Sequence, residues 1–444
     1  MAAPDCGVFF PAELLNEIRS KFHHVESDPY SGPRIFFESA SGSFRLKSMV
    51  EAVARENVFL DQLGRANPGS RHANELVVQG VQDVRDFLGA QSGTIMPATS
   101  STHAVFRAVH AGLAAALQGN VVTTDLEHPS IYDSTSVFAR QYGHAWRSAP
   151  LNSETGFVEP QAILELVDER TRLVGLIHGS NMTGACLDIK GITAGVRRIN
   201  ADVMVVVDGV QYAPHAPVDV EDLDVDAYVF GPYKAFCVKG VGFAYLSERM
   251  AGLPHWALAG KGPDDWNLGS IDHAMYAAWS AVVDYLVWLG SHFTNSADRR
   301  QCIVAGQSAS DDHMRALLHR CLYGSAKQRG LLAMDHVTVH AMTEDLSQRY
   351  CLFMFDLAGM DSYQGVELYN RAGLRLHNRV RDAYSRHTLE AMGLEAGIRL
   401  SANHANSPAE VDAFLAATEE IGRMAPDEVA KVTAGDRGPG VGEG

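Results

Sequence analysis

The chain of 444 residues has only six cysteines, Cys6, Cys186, Cys237, Cys302, Cys321 and Cys351, and no CxxC pair. That scatter argues against a zinc site and against a disulfide framework, so no metal is expected. No apolar run reaches the roughly 18 residues needed to span a bilayer. The opening MAAPDCGVFFPAELLNEIRS carries acidic and polar residues where a secretory signal needs a basic start and an apolar block, so a cytoplasmic protein is expected. Positive charge is also in deficit. A formal net charge of −16 disfavours nucleic acid and anionic membrane as partners. It leaves room for an anionic small molecule, because backbone dipoles at helix N-termini bind phosphate even in an acidic protein. No internal repeat is evident. What is present, 46% apolar and 20% charged residues, is the composition of a globular protein long enough for a large core.

Short apolar runs alternate with amphipathic stretches through the first two thirds. Residues 75–88 place Val77, Val81, Val84 and Leu88 on one helical face. Strands are predicted at 121–124, 173–178, 203–207, 227–230 and 241–246, several nearly continuous in apolar residues, as in strands buried on both faces. The alternation gives an α/β class with a mainly parallel sheet, whose ligands sit at the carboxyl ends of the strands. The last third differs. A strand is predicted at 350–357. Ser407-Pro408-Ala409-Glu410 is a capping box, followed by the apolar face of Val411, Phe414, Leu415 and Ile421. The expected organisation is an N-terminal segment (1–30) packing on the small domain, a large domain (31–300), a smaller α+β C-terminal domain (301–425) and a disordered tail (426–444).

Two residues carry the first chemical signal. A buried strand ends in Asp208, with Gln211 three residues on; a second strand runs into Gly231-Pro232-Tyr233-Lys234. Taken alone, Asp208 reads as a turn cap and Lys234 as a surface lysine. Together they match what pyridoxal phosphate (PLP) requires, a carboxylate against the pyridinium nitrogen and a lysine for the aldehyde.

The stretch 208–246 resembles the class V aminotransferase family, and within it the group II cysteine desulfurases and their relatives. The family reads roughly V-D-G-A-Q, then V-D-V-x-x-L-D-x-D-x-Y-V-F-S-G-H-K, then G-x-G-x-L-Y. This chain has VDGVQ, VDVEDLDVDAYVFGPYK and GVGFAYL. A weaker likeness extends from about Ile35 to Phe414. The resemblance implies a fold-type-I PLP-dependent transferase fold, with a seven-stranded-type sheet in the large domain, and a homodimer with active sites at the interface. It makes Lys234 the Schiff-base lysine, Asp208 the pyridinium partner and Gln211 a ligand of the ring O3′. Glu127-His128-Pro129 resembles the family's E-H-x, whose His stacks on the ring and can relay protons. His178-Gly179-Ser180-Asn181 places Asn181 near O3′ and the substrate. Ala98-Thr99-Ser100-Ser101 replaces G-T-T-E, with Thr99 and Ser100 expected at the phosphate. Gly269-Ser270 stands where the family has G-T, facing the other subunit's cofactor. Arg399-Leu400-Ser401 resembles R-x-S, whose arginine clamps the substrate α-carboxylate. Residues 38–42, with Ala40 at their centre, resemble the segment that closes over that carboxylate.

Three departures shape the functional expectation. The family's S-x-H-K becomes Gly231-Pro232-Tyr233-Lys234, so the usual phosphate-binding serine and the histidine before the lysine are both lost; Tyr233 can still hydrogen-bond, but the phosphate cup must differ. The desulfurase loop R-x-G-H-H-C has no cysteine here, and a desulfurase needs a thiolate to take the sulfur. Cys237, three residues past Lys234, reads as core filler. His377-Asn378-Arg379 resembles the substrate loop of divergent relatives, the isopenicillin N epimerase-like proteins and C–S lyases of secondary metabolism. The expected enzyme is a lyase cleaving the C–S bond of an L-cysteine S-conjugate by β-elimination. Alternatives are decarboxylation with oxidative deamination, epimerisation of an amino-acid moiety, a desulfurase-like activity, or a non-catalytic PLP-binding scaffold.

Overall fold

A computed structural model describes residues 6–60 and 62–433. Seven strands build the main sheet: β1 (Thr94–Ala98), β2 (Asn120–Thr124), β3 (Ala145–Ala149), β4 (Thr171–Ile177), β5 (Met204–Asp208), β6 (Ala227–Phe230) and β7 (Gly242–Leu246). Their order is β1-β7-β6-β5-β4-β2-β3. The pairs from β6 to β3 are parallel, and β7 runs antiparallel to both β6 and β1. Being antiparallel to an antiparallel strand, β1 points the same way as β6. Six strands therefore end at one edge of the sheet, where a doubly covered α/β sheet binds its ligand.

The predicted strands fall within one or two residues of those observed. β1 and β3 were not anticipated from the sequence. β3, AWRSA, is an edge strand with only Ala149 fully buried, so it lacks the continuous apolar run of its neighbours. The helix predicted at 75–88 belongs to a longer one, Pro68–Leu88, started by the Asn67 cap and ended at Gly89, a left-handed position. Val84 and Leu88 are fully buried; Val77 and Val81 are half-buried against the same core.

A second sheet follows, with β8 (Val337–His340), β9 (Leu352–Leu357), β10 (His377–Val380) and β11 (Ala396–Ser401) in the order β8-β9-β11-β10, all antiparallel. Its own core holds Phe353, Phe355, Leu400, Phe414 and Leu415. The capping box predicted at Ser407 and Glu410 opens the helix Pro408–Ile421.

Two features differ from the expected organisation. The N-terminal segment does not rest on the second unit alone. Phe22 packs on Phe236 and Tyr285 of the large core, while Arg19 pairs with Glu410 at 3.0 Å. The tail expected over 426–444 begins with a helix, Pro426–Thr433, whose Val429 joins the second core; residues 434–444 lie outside the described residues. Proline at the first turn and Asp427 and Glu428 behind it suit a helix N-terminus, a signal hidden by the glycines that follow.

Candidate active site

The carboxyl edge of the sheet frames a cavity of about 150 Å³ lined by Ser100, Ser101, His128, Asp208, Gln211 and Lys234, among others. A wider one of about 450 Å³ shares Ser100, Ser101, His128, Asn181, Tyr233 and Lys234, and reaches Ala40, Arg379 and Arg399.

Asp208 is the last residue of β5 and is 3% exposed. Its Oδ1 accepts from the Val210 N–H at 3.0 Å, and its Oδ2 accepts from Ser130 Oγ at 2.6 Å. Ser130 Oγ also lies 2.7 Å from His128 Nδ1, so one hydroxyl proton faces two acceptors. His128 caps the helix Pro129–Tyr142, its Nδ1 accepting from the Ser130 N–H at 3.1 Å. Burial, with help from the nearby Lys234 and Arg379 charges and against the pull of Asp208, lowers the His128 pKa to about 4. The ring is thus neutral near pH 7, and with Nδ1 accepting, its proton sits on Nε2. Ser130 was missed in the sequence; its signal was a hydroxyl at the second position of a helix opening at the cavity rim.

Lys234 follows β6 through a tight turn, its backbone N–H bonded to Gly231 O at 3.1 Å. Its Nζ donates to Gln211 Oε1 at 2.8 Å. Burial, then the Arg399 charge, lowers its pKa to about 7, with Asp208 opposing. The Gly231 that departs from the family pattern has a steric reason. A Cβ there would stand 2.6 Å from Ser101 Oγ and 2.9 Å from the Tyr233 ring. Ser101 Oγ is buried and has no partner. It opens the helix Ser101–Ala114, capped by Ser100, whose Oγ accepts from the His103 N–H at 3.1 Å. A helix N-terminus with an unpaired hydroxyl is a ready anion site. Thr99 lies outside the cavity lining, its Oγ1 bonded to His103 Nδ1 at 3.1 Å. Ser270 is exposed and likewise away from the lining.

The second sheet supplies the roof. Arg399 on β11 is 1% exposed. It donates to Asn181 O at 3.0 Å and Ser41 Oγ at 2.9 Å, and its Nε has no partner. Burial and the neighbouring Arg379 charge bring its pKa down to about 9. Residues 38–42 are held against β11, with the Ala40 N–H bonded to Ser401 Oγ at 2.9 Å. Arg379 lines the wider cavity, with Nε and one terminal nitrogen unpartnered. His377 faces Glu38 at 3.3 Å, and Asn378 has a buried carbonyl oxygen without a partner. His387 closes this unit onto the large one, donating to Glu127 O at 2.6 Å. The Glu127 carboxyl itself is fully buried, which pushes its pKa well above the usual carboxylate range, and its Oε1 accepts from Thr124 Oγ1 at 2.7 Å.

No cysteine lines either cavity among the described residues. Cys237 is wholly buried and burial pushes its thiol up to about 12.

A buried carboxylate at a strand end, a lysine facing it with a near-neutral pKa, and an unpaired hydroxyl at a helix N-terminus fit PLP, whose ring nitrogen, aldehyde and phosphate need those three partners. Fold and site together define a fold-type-I PLP enzyme.

Residues 35–277 match the model for aminotransferase class-V, and the chain belongs to that family. It is a PLP-dependent enzyme. An aminotransferase-like protein, FGM3, of Gibberella zeae is 25% identical over 431 residues, covering 92% of this chain and 98% of that protein. A cysteine desulfurase of Yersinia pestis is 25% identical over 356 residues, covering 75% and 84%. Among solved structures, the cysteine desulfurase CsdA of Escherichia coli superposes with a TM-score of 0.74 at 20% identity, covering 93% of this chain and 98% of that one. A cysteine desulfurase of Thermococcus onnurineus gives 0.77 at 17% identity, covering 94% and 99%.

Proposed function

We propose that the enzyme is a lyase that cleaves the C–S bond of an L-cysteine S-conjugate by β-elimination. The observation that carries this reading is a cavity holding the residues for α-proton removal but no thiol. A desulfurase must pass sulfur to a protein thiolate. Here the corresponding loop presents His377, Arg379 and Asp382, and the nearest cysteine in sequence to Lys234, Cys237, is buried and protonated. A thiol leaving group needs no protein acceptor.

Bound PLP supplies an electron-withdrawing ring that stabilises negative charge at Cα. Asp208 would face the ring nitrogen and keep it protonated, with Ser130 Oγ fixing the carboxylate. His128 would lie against the ring, Gln211 and Asn181 would serve the ring oxygen, and Tyr233 would meet the cofactor from the Lys234 side. Ser100, Ser101 and the helix N-terminus would hold the phosphate in place of the family's serine. The exposed Ser270 would act only on the cofactor of a second copy in a homodimer. Arg399 would clamp the α-carboxylate beneath Ala40, with Arg379 lining the substrate side and His377 beside it; Asn378, between them on the strand, faces the other side of the sheet and drops out of the expected substrate set. Lys234 would hold the cofactor covalently; once the substrate amino group displaces it, its freed amine, with a lowered pKa, would take the Cα proton. The Cβ–S bond would then break, sulfur leaving with the electron pair and taking a proton, and water would carry the remaining three-carbon fragment to pyruvate and ammonia.

The test is product analysis by mass spectrometry on a panel of cysteine conjugates, with free cysteine as control. Thiol and pyruvate in equal amounts support elimination. Alanine indicates sulfur transfer, and carbon dioxide with an aldehyde indicates the decarboxylating route.

A further inference from the structure

The register of the second sheet places His377 on β10 directly opposite Arg399 on β11, and Arg379 opposite Gly397. Side chains two apart on a strand share a face, and paired residues share it too. Arg399, His377 and Arg379 therefore all face the same side, and Arg399 and Arg379 are diagonal neighbours at roughly 7–8 Å between backbones. Both line the wider cavity.

Arg379 is 9% exposed, and its Nε and one terminal nitrogen have no hydrogen-bond partner. A guanidinium with unpaired buried N–H groups is costly to leave so. The chain's own carboxylates do not satisfy it. Asp382 makes only a long ion pair with it at 3.8 Å, beyond hydrogen-bond reach, and Glu38, which attracts it at a distance, is turned to His377 at 3.3 Å and to Ser41. The imidazole of His377 meets the other terminal nitrogen of Arg379 at 3.3 Å, which aims the guanidinium along the sheet face. Lys239 adds a further cation at the cavity mouth.

We infer that Arg379 forms a second anion subsite, so that the substrate is an amino acid bearing a distal carboxylate on its side chain. The inference rests on the reading of Arg399 as the α-carboxylate clamp. At ~1.2 Å per bond along an extended chain, two carboxylates about five or six bonds apart span roughly 6–7 Å, comparable with the diagonal spacing. A cysteine whose sulfur carries a short carboxyalkyl group has that form. A single carboxylate shared by both arginines is the competing arrangement.

The experiment is calorimetric binding to the PLP-loaded enzyme of amino acids that have no sulfur to eliminate. L-2-Aminoadipate and L-norleucine have equal chain length and differ in the distal carboxylate. Wild type is expected to bind aminoadipate at least tenfold more tightly, about 1.4 kcal/mol, and to treat its side-chain methyl ester like norleucine. Arg379→Gln is expected to bring the ratio to about one, and Arg379→Lys to leave part of it. A wild-type ratio near one, or a ratio that survives Arg379→Gln while both ligands weaken together, overturns the second subsite. Pentylamine, which is norleucine without its carboxylate, reports on Arg399 separately. If it binds as well as norleucine, the clamp reading fails whatever Arg379 does.

Discussion

Replacing Arg399 by alanine removes the group on which substrate orientation depends. A guanidinium has five N–H donors. Two are used on Asn181 O and Ser41 Oγ, and Nε–H is left without a partner on a residue 1% exposed. Charge-assisted bonds are worth about 1.5–3 kcal/mol each. Losing a two-bond clamp therefore costs ~3–6 kcal/mol, and at about 1.4 kcal/mol per tenfold kcat/KM falls by roughly 10²–10⁴. Arg399→Lys recovers part, since a lysine keeps the charge but cannot make the fork. The substitution also strips a partner from the buried Asn181, at about 1–3 kcal/mol, while the exposed Ser41 hydroxyl can turn to water. Near-UV circular dichroism and cofactor absorbance therefore come before kinetics. The assay is steady-state turnover of a cysteine conjugate, alongside binding of its decarboxylated amine. The carboxylate-bearing ligand should lose far more than the amine. Equal losses on both would make Arg399 a packing residue, and activity within threefold of wild type would place the clamp elsewhere.

Lys234→Ala should abolish the borohydride-reducible link between protein and PLP; a surviving link would move it to another lysine. Because burial and the Arg399 charge lower the Lys234 pKa to about 7, the amine is neutral above that pH. PLP uptake by apoenzyme should rise with pH through about 7 and then level, and Arg399→Ala should move the midpoint upward. A midpoint near the ordinary lysine value, followed by stopped-flow absorbance, would contradict the buried geometry. Asp208→Ala should weaken cofactor binding and lower kcat by at least ~10², the scale of losing a preorganised electrostatic partner, whereas near-normal kcat would put Asp208 outside the chemistry. Cys237→Ser, at a site sealed from the cavity, should keep near wild-type kcat. A folded, PLP-loaded Cys237→Ser protein without turnover would revive sulfur transfer.

The sequence exposed the parts of the fold whose burial is uniform. β4 from Leu173, β5 up to its last residue and β6 throughout carry no charged side chain; β5 ends at Asp208, and β4 and β6 lead directly into His178 and the turn to Lys234. The edge strand β3 and the short helix before the glycine-rich end carry mixed patterns and were hidden. At the site, Asp208, Gln211 and Lys234 were legible because a long motif fixes their spacing, and they do meet in one cavity. Ser130 was not, because its link to Asp208 spans 78 positions and no local spacing encodes it. Ser101 escaped for a similar reason. Its hydroxyl gains meaning only beside Gly231, which another strand brings to it. The placement of Arg379 beside Arg399 likewise depends on strand register, which a one-residue slip would undo.

The central claim is a cavity that removes an α-proton and releases a thiol without a protein sulfur acceptor. Its most direct measurement is single-turnover mass spectrometry of the purified, PLP-loaded enzyme with a cysteine S-conjugate, read on both products and intact protein. The account predicts one thiol and one pyruvate per site, with protein mass unchanged. Alanine as the carbon product, together with a protein heavier by one sulfur, would contradict it.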